Sequence, residues 1–179
     1  HCSAAYDDGK VDEDTDWLRF NRRITIQAED KKTKTHCVNI AFPIKRVNSQ
    51  QGYIFSSLSK ETHQNSPQGK VSIFFIAPNA KSNLQFHINA PFGCPPSRDS
   101  VSDTDGNDRL IKEIAFLTRE AIVNLRDLKE LKPDFFNFLP IESDHVDKQF
   151  MPIQNEIFDL FETENVYPVI KGGYAYKSN

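Results

Sequence analysis

Long apolar runs and cysteine are both scarce in this 179-residue sequence. No run approaches the roughly 20 apolar residues that a membrane-spanning helix needs, so we expect no membrane span. The three cysteines, Cys2, Cys37 and Cys94, lie far apart, and nothing resembles a signal peptide. We therefore do not expect a secreted fold that is held together by disulfides. We expect a reducing, cytoplasmic setting. An initiating methionine is also missing, which suggests a piece of a longer polypeptide.

Charge of one sign does not dominate either, since the formal net charge of -3 gives no overall attraction to nucleic acid or anionic membranes. Residues 1–16 carry six acidic side chains against one lysine and little apolar material, which predicts an acidic linker or tail. Residues 17–46 carry eight basic side chains against two acidic ones, which predicts a basic first hairpin. All 14 phenylalanines fall in residues 17–179, enough apolar material for one domain with one core.

Hydrophobic periodicity first predicts strands. Apolar and polar residues alternate in 17–27 and again in 36–44, which predicts a half-buried antiparallel hairpin. Pro43 should mark the end of regular pairing or an edge, because proline donates no backbone hydrogen bond.

Three further segments extend this pattern. The apolar run 71–77 predicts a central strand that Pro78 helps to terminate. Residues 84–90 alternate again and predict a fourth strand, which leads into an irregular, proline-rich loop over 91–106. Near the end of the chain, Lys171-Gly172-Gly173 predicts the turn of a tight hairpin.

The second half of the chain has helical spacing. Apolar residues recur every three or four positions up to Leu128, with Asn107 or Asp108 predicted as the helix cap. Pro152 suits the first turn of a second helix that runs to about Glu162. Strands followed by helices predict an α+β fold, a two-layer sandwich in which a mostly antiparallel sheet carries helices packed on one face.

Candidate metal ligands and nucleophiles are few. His36 and Cys37 are adjacent and point to opposite faces of a strand, and no paired ligand spacing occurs elsewhere, so we expect no metal site. Cys94 can meet His87 across a bend as a nucleophile and its base, which leaves an enzyme as a third interpretation. Neighbouring prolines and the lack of an orienting third group favour a small buried thiol.

One segment carries a family resemblance. The stretch L-Q-F-H-I-N-A-P-F-G-C-P-P-S-R-D-S-V, followed by the helix start N-D-R-L-I-K-E-I, resembles sacsin-like and NO VEIN-like ATPases of the GHKL superfamily. Upstream W-L-R-F, A-F-P-I and V-S-I-F-F-I-A-P segments, and a closing Y-P-V-I-K-G-G-Y, are similar to that family in the same order. The resemblance implies the transducer, or middle, domain of such an ATPase over residues 17–179.

The resemblance also implies a site. Ser97-Arg98-Asp99 is similar to the S-R-E of the ninety-kilodalton heat-shock chaperones, where the arginine reaches the terminal phosphate of ATP in the neighbouring domain. Arg98 is the implied counterpart, with Ser97 and Asn107 as further nucleotide-side candidates, although this loop carries extra residues from 91 to 96. A permanently charged arginine fork suits phosphate. The alternative is a surface turn with a local Arg98–Asp99 ion pair.

The sequence lacks the motifs of a GHKL nucleotide pocket, so we expect that this chain alone does not hydrolyse ATP. The resemblance implies that ATP and Mg²⁺ bind in an N-terminal ATP-binding domain of the same parent chain, which would be the partner, with a homodimer as an option. An alternative from another class is a non-catalytic module that binds nucleic acid or a protein through the basic hairpin. The residues of that surface would be Arg22, Arg23, Lys31, Lys32 and Lys34.

Overall fold

A computed structural model of the protein describes residues 16–27, 33–47, 52–55, 69–142, 144–169 and 173–176. Within these ranges, no helix carries an apolar stretch long enough to cross a lipid bilayer. The predicted acidic tail lies outside the described residues apart from Asp16, which opens the first strand.

The first two strands form the antiparallel hairpin that the alternating pattern predicted. Strand β1 is Asp16–Gln27 and strand β2 is Thr33–Val47, and they pair in one continuous register. Val38, Ile40 and Phe42 stand at alternate positions of β2 and are at most 1% exposed, because alternate side chains of a strand share a face. Strand β2 therefore supplies the centre of the core.

Four shorter strands complete the sheet. Their bounds are Gly52–Phe55 (β3), Lys70–Ser72 (β4), Ile76–Lys81 (β5) and His87–Asn89 (β6). The strand order is β1-β2-β6-β4-β5, and β3 also pairs with β2. Every one of these pairs is antiparallel except β4 with β6. The predicted mostly antiparallel sheet is confirmed.

The prediction of one central strand over 71–77 was wrong. Strand β4 ends at Ser72, the backbone bends over residues 73–75, and β5 begins at Ile76 and runs through Pro78. An apolar run carries no polar turn signal, so its periodicity could not reveal the bend. Proline is tolerated in β5 because this strand lies at the edge of the sheet.

Pro43 also departs from its prediction, because it lies inside β2 and not at its end. On the side of β2 away from β1, residues 39–41 pair with β6 and residues 44–47 pair with β3. Pro43 falls between these two paired segments. A residue without an N–H fits this gap, since no ladder partner is described for it there.

The long amphipathic helix is confirmed, with two corrections. Helix α1 is Asp105–Asp127, and its N-cap is Thr104, whose hydroxyl accepts the N–H of Asn107 at 3.3 Å. Neither Asn107 nor the residue after it is the cap, because Thr104 takes that place. Leu128 is 71% exposed and leaves the apolar stripe, since the helix has ended and Lys129 turns the chain with a φ of 60°.

The second helix and the closing hairpin are confirmed as well. Helix α2 is Met151–Thr163 and packs beside α1, where Arg119 donates to Glu156 at 3.1 Å and to Asp159 at 2.7 Å. Short 3₁₀ helices precede α2 at Pro133–Phe138 and Lys148–Phe150. Strands β7 (Tyr167–Pro168) and β8 (Tyr174–Ala175) pair antiparallel, while the predicted turn residues 171–172 lie outside the described residues.

The core lies between the sheet and α1, and aromatic rings fill its centre. Phe42 lies 4.9 Å, centroid to centroid, from both Phe86 and Phe135. Helix α1 packs on β1 and β2, and its buried residues include Ile111 and Ile114, both 0% exposed. The protein therefore has an α+β fold in which a mostly antiparallel sheet is combined with helices.

His87 on β6 has a lowered pKa. Its Nδ1 accepts the backbone N–H of Lys70 at 2.7 Å, and its ring lies 4.7 Å from that of Trp17. Burial, and after it the positive charge of Lys70, lowers the pKa of His87 from 6.5 to about 4. The folded protein therefore holds the imidazole neutral in the range where the unfolded chain takes up a proton.

We expect this histidine to make the free energy of unfolding decrease as the pH is lowered. Since the folded pKa lies below the unfolded one, the contribution is complete above pH 6.5 and is lost as pH drops towards 4. A shift of this size corresponds to about 3 kcal/mol. Urea unfolding between pH 7.5 and 4 should show a shallower decline in His87→Gln than in the wild type. The control His145→Gln replaces an exposed histidine and should keep the wild-type slope; equal slopes in all three would contradict the assignment.

Candidate functional site

Asn107 joins the loop between β6 and α1 to the helix that follows it. Its Oδ1 accepts the N–H of Gly93 at 2.7 Å, and its Nδ2 donates to the carbonyl oxygens of Gly93 at 2.8 Å and Ser102 at 2.6 Å. The side chain is buried, with only 2% exposed. These three bonds use the amide's acceptor and both of its donors, so Asn107 closes the loop against the first turn of α1.

Asp99 fixes the outer part of the same loop. One carboxylate oxygen accepts the hydroxyls of Ser97 at 2.8 Å and Ser100 at 3.1 Å, and the other accepts the Asn79 side-chain amide at 3.0 Å. The Asn79 N–H also donates to the Asp99 carbonyl oxygen at 2.7 Å. The Ser97 hydroxyl bond, more than any other contact, lowers the pKa of Asp99. The loop is thereby tied to edge strand β5.

Arg98 stands at the exposed turn between these attachments. Its backbone adopts a left-handed φ of 58°, and its N–H donates to the Pro95 carbonyl at 2.9 Å. This conformation costs a non-glycine residue about 1–2 kcal/mol, and the bonds of Asp99 and Asn107 hold it in place. The residue is exposed, and within the described ranges its guanidinium makes no ion pair or hydrogen bond. The surface turn of the alternative interpretation is therefore present, whereas no Arg98–Asp99 ion pair occurs among the described residues, since Asp99 is bonded to Ser97, Ser100 and Asn79.

Ser97 and Asn107 support this turn. The Ser97 hydroxyl donates to Asp99, and the amide of Asn107 is fully used by the loop backbone. Their observed bonds therefore position the loop. The sequence singled out both residues, but only the folded arrangement shows what they bond to.

The basic hairpin is partly neutralised by α1. Arg22 lies 3.0 Å from Glu113 and 2.6 Å from Glu120, and the bond with Glu120 is the main reason that the pKa of Arg22 is raised. Arg23 and Lys34 are exposed. Lys31 and Lys32 lie outside the described residues. The first hairpin is therefore basic at its surface, although one of its arginines is committed to the helix.

A groove beside this hairpin carries cations that sequence reasoning missed. It is open, measures about 460 Å³, and lies between β1 and the first half of α1. Arg109 and Lys112 of α1 line it together with Arg22 and Arg23 of β1, and the half-exposed Phe116 is also part of its lining. Helical spacing placed Arg109 and Lys112 on the polar face of α1, but nothing in the sequence paired that face with β1.

The other candidates gain no support from the geometry. Among the described residues, no group of three or more histidine, cysteine, aspartate or glutamate side chains is placed to hold a metal ion. Cys37 is an exposed thiol and Cys94 is a partly buried one. No hydrogen bond joins Cys94 to His87 in this part of the chain, and the Nδ1 of His87 is used by Lys70.

Comparisons with protein-family models, with curated proteins and with solved structures found no match to this chain. The functional interpretation therefore depends on the loop geometry and on the sequence resemblance.

We predict that Asn107→Ala loosens the loop and destabilises the fold by about 2–3 kcal/mol, because three hydrogen bonds are lost and buried polar partners are left unsatisfied. Urea unfolding measures the loss, and hydrogen exchange of the amides in residues 93–102 locates it. The control Asn124→Ala removes an exposed amide from the same helix and should change stability by less than about 0.5 kcal/mol. Unchanged exchange in the loop of Asn107→Ala would contradict the clamp.

Proposed function

We propose that this chain is the transducer, or middle, domain of a sacsin-like GHKL-superfamily ATPase and that Arg98 contacts the terminal phosphate of ATP bound in a neighbouring domain of the parent protein. The observation that carries the proposal is the exposed Arg98 guanidinium, which has no partner in the described part of the chain and stands on a loop fixed from both sides. The order of the family-like segments supports the same assignment.

The chemistry of Arg98 suits a phosphate. Its guanidinium is permanently charged and can donate two parallel hydrogen bonds to phosphate oxygens. A cation on a fixed loop needs little ordering when a ligand arrives, so more of the electrostatic attraction remains available for stabilising charge in phosphoryl transfer. ATP and Mg²⁺ would bind in the N-terminal domain of the parent, because the nucleotide-pocket motifs are missing from this sequence.

The loop is also coupled to the body of the domain. Asn107 belongs to the first turn of α1, so a displacement of the loop acts directly on a helix of 23 residues. Arg119, further along α1, is bonded to Glu156 and Asp159 of α2. A contact made at Arg98 can therefore shift both helices together, which is the mechanical property a transducer needs.

Arg98→Ala in the full-length parent should lower ATP turnover about 10²-fold or more while leaving ATP affinity nearly intact, because the arginine acts on the transferring phosphate. Steady-state turnover and equilibrium nucleotide binding, measured side by side, separate these effects. Arg98→Lys keeps the charge without the two-point fork and should recover only part of the rate. The matched control Arg46→Ala removes an exposed arginine paired with Asp16 and should leave turnover unchanged. Normal turnover in Arg98→Ala would overturn the phosphate contact.

A second candidate function is an interaction module that binds nucleic acid or an acidic partner through the basic surface. The observation that favours it is the groove in which Arg109 and Lys112 supplement the predicted hairpin residues Arg22 and Arg23. Phosphates would meet these cations, and Phe116 offers a ring for base stacking. Glu113 in the groove and Glu120 beside it, both paired with Arg22, weaken the attraction.

The two candidates differ in salt-dependent binding. If the groove binds single-stranded RNA, the triple variant Arg23→Ala, Arg109→Ala and Lys112→Ala should reduce the magnitude of the slope of log affinity against log salt by about 2. The reason is that fewer counterions are released from the RNA when three phosphate contacts are missing. Fluorescence anisotropy with labelled oligonucleotides over a salt series measures this. Lys129→Ala, an exposed lysine outside the groove, serves as the control. Undetectable RNA binding by the wild-type chain would exclude the nucleic-acid form of this candidate.

A further inference from the structure

The β-sheet has a second face that the described helices do not cover. In β2 the even-numbered side chains, such as Phe42, belong to the same core as the buried side chains of α1. Because alternate side chains of a strand point to opposite sides, the odd-numbered side chains of β1 and β2 point away from that core. We name this side the open face. The other strands add to it, in register, His87, Asn89, Lys70, Ser72 and Lys81.

The open face carries basic side chains and no acidic ones. The six described strands of the sheet contain a single acidic residue, Asp16, which stands at an even-numbered position and is bonded to Arg46. The cations of the open face are Arg19, Arg23, Lys45, Lys70 and Lys81. A surface with charge of one sign attracts a polyanion, and phosphate groups are the commonest partners of such a surface in nucleic-acid binding.

Trp17 gives the open face an aromatic surface. Trp17 lies on β1 and His87 on β6, with β2 between these strands, yet the two ring centroids are only 4.7 Å apart. Neighbouring strands are about 4.8 Å apart, so the Trp17 side chain extends across β2. The positions that it crosses hold Pro43 and Ala41, the register partners of Trp17 and His87. The two rings together form a patch on which a nucleobase can stack.

Hydrogen-bonding groups lie beside these rings. Asn39 pairs in register with Asn21 of β1 and with Asn89 of β6, and its Nδ2 donates to the Asn89 Oδ1 at 3.5 Å. This register aligns three asparagine side chains across three strands. The Nδ1 of His87 accepts the Lys70 N–H, so the neutral ring carries its proton on Nε2, which has no hydrogen-bond partner in the described ranges. Amide and imidazole groups of this kind suit the donor and acceptor edges of unpaired bases.

We propose that the open face binds single-stranded nucleic acid, whose phosphates contact the cations while a base stacks on the rings of Trp17 and His87. This inference goes beyond the transducer function and does not depend on it. It gives the nucleic-acid form of the second candidate function a surface other than the groove, although Arg23 borders both. A duplex fits this face less well, because its bases are stacked on one another and are not available to Trp17.

An acidic polypeptide is the rival occupant of the open face. Its carboxylates would pair with the same lysines and arginines as phosphates do. They would leave the ring surface and the row of asparagines unused, because a carboxylate has no flat aromatic face. Single-stranded nucleic acid matches the cations, the rings and the amides together, and it is therefore the occupant that the open face favours.

Tryptophan fluorescence tests the occupant directly, because Trp17 is the only tryptophan of the chain. The chain is titrated with single-stranded RNA and DNA of about 12 nucleotides, with the corresponding duplex, and with polyglutamate. We expect the single strands to quench the fluorescence of Trp17 and to bind more tightly than the duplex, while polyglutamate leaves the fluorescence unchanged. No quenching by either single strand, or equal quenching by polyglutamate, would overturn the inference.

Two replacements of Trp17 test the stacking contact. Trp17→Leu should weaken the binding of a fluorescently labelled single strand about tenfold, as the loss of one aromatic–base stack does. Trp17→Phe keeps a ring and should retain most of the affinity. Urea unfolding of both variants verifies that they are folded, and equal affinity in Trp17→Leu and the wild type would contradict the stack.

A pair of exposed lysines tests the phosphate contacts. Lys45→Ala combined with Lys81→Ala should reduce the magnitude of the slope of log affinity against log salt by about 1.4, because two phosphate contacts of a single strand are lost. The control combines Lys129→Ala with Lys148→Ala, which removes two exposed lysines that lie outside the sheet and should keep the wild-type slope. Equal slopes in all three proteins would count against the open face.

The same binding assay separates the open face from the groove. If Trp17→Leu weakens binding and the double variant Arg109→Ala, Lys112→Ala does not, the open face is supported and the groove is excluded as the nucleic-acid site. If the double variant loses binding and Trp17→Leu retains it, the open-face inference fails and the groove candidate stands. Neither result depends on the turnover of Arg98→Ala, which tests the transducer function.

Discussion

The burial of Phe42 on strand β2 organises the domain. Its ring contacts those of Phe20, Phe55, Phe86, Phe135 and Phe138, with centroids between 4.9 and 6.4 Å apart. These partners come from β1, β3, the approach to β6 and the 3₁₀ helix, so one side chain unites segments that are distant in sequence. Aromatic rings bury a large apolar area in fixed edge-to-face arrangements, which gives both stability and a defined geometry. The loop and helix of the candidate site are built on this base.

The site combines a rigid support with an unsatisfied charge. Asn107 and Asp99 use their hydrogen-bonding groups on the loop and on β5, whereas Arg98 projects from a left-handed turn with its guanidinium free in the described part of the molecule. A conformation of this kind persists only where the surroundings fix it, and such positions cluster at ligand-contacting sites. The arrangement explains why a proline-rich loop without regular structure can hold the backbone of an exposed arginine in one conformation.

Charge and apolar surface are distributed unevenly around that loop. Arg22 and Arg119 are both paired with carboxylates of the helices, so Arg22 joins β1 to α1 and Arg119 joins α1 to α2. Arg98 and Phe74 instead remain exposed. The contacts therefore distinguish the arginines that hold the fold together, Arg22 and Arg119, from the candidate functional residue Arg98. Residue type alone does not provide this distinction.

Periodicity by itself determined the β1–β2 hairpin and both helices, because an element with one buried face repeats its apolar residues at the spacing of that element. The closing hairpin was indicated by the turn residues Lys171-Gly172-Gly173. The same sequence identified Ser97, Arg98 and Asn107 as candidates. Tertiary structure alone decided that 71–77 is broken by an exposed bend, that Pro43 fits between two partner strands, and that Asn107 closes a loop while Thr104 caps the helix. These features depend on contacts between distant segments, and local repeat patterns carry no information about which segments meet.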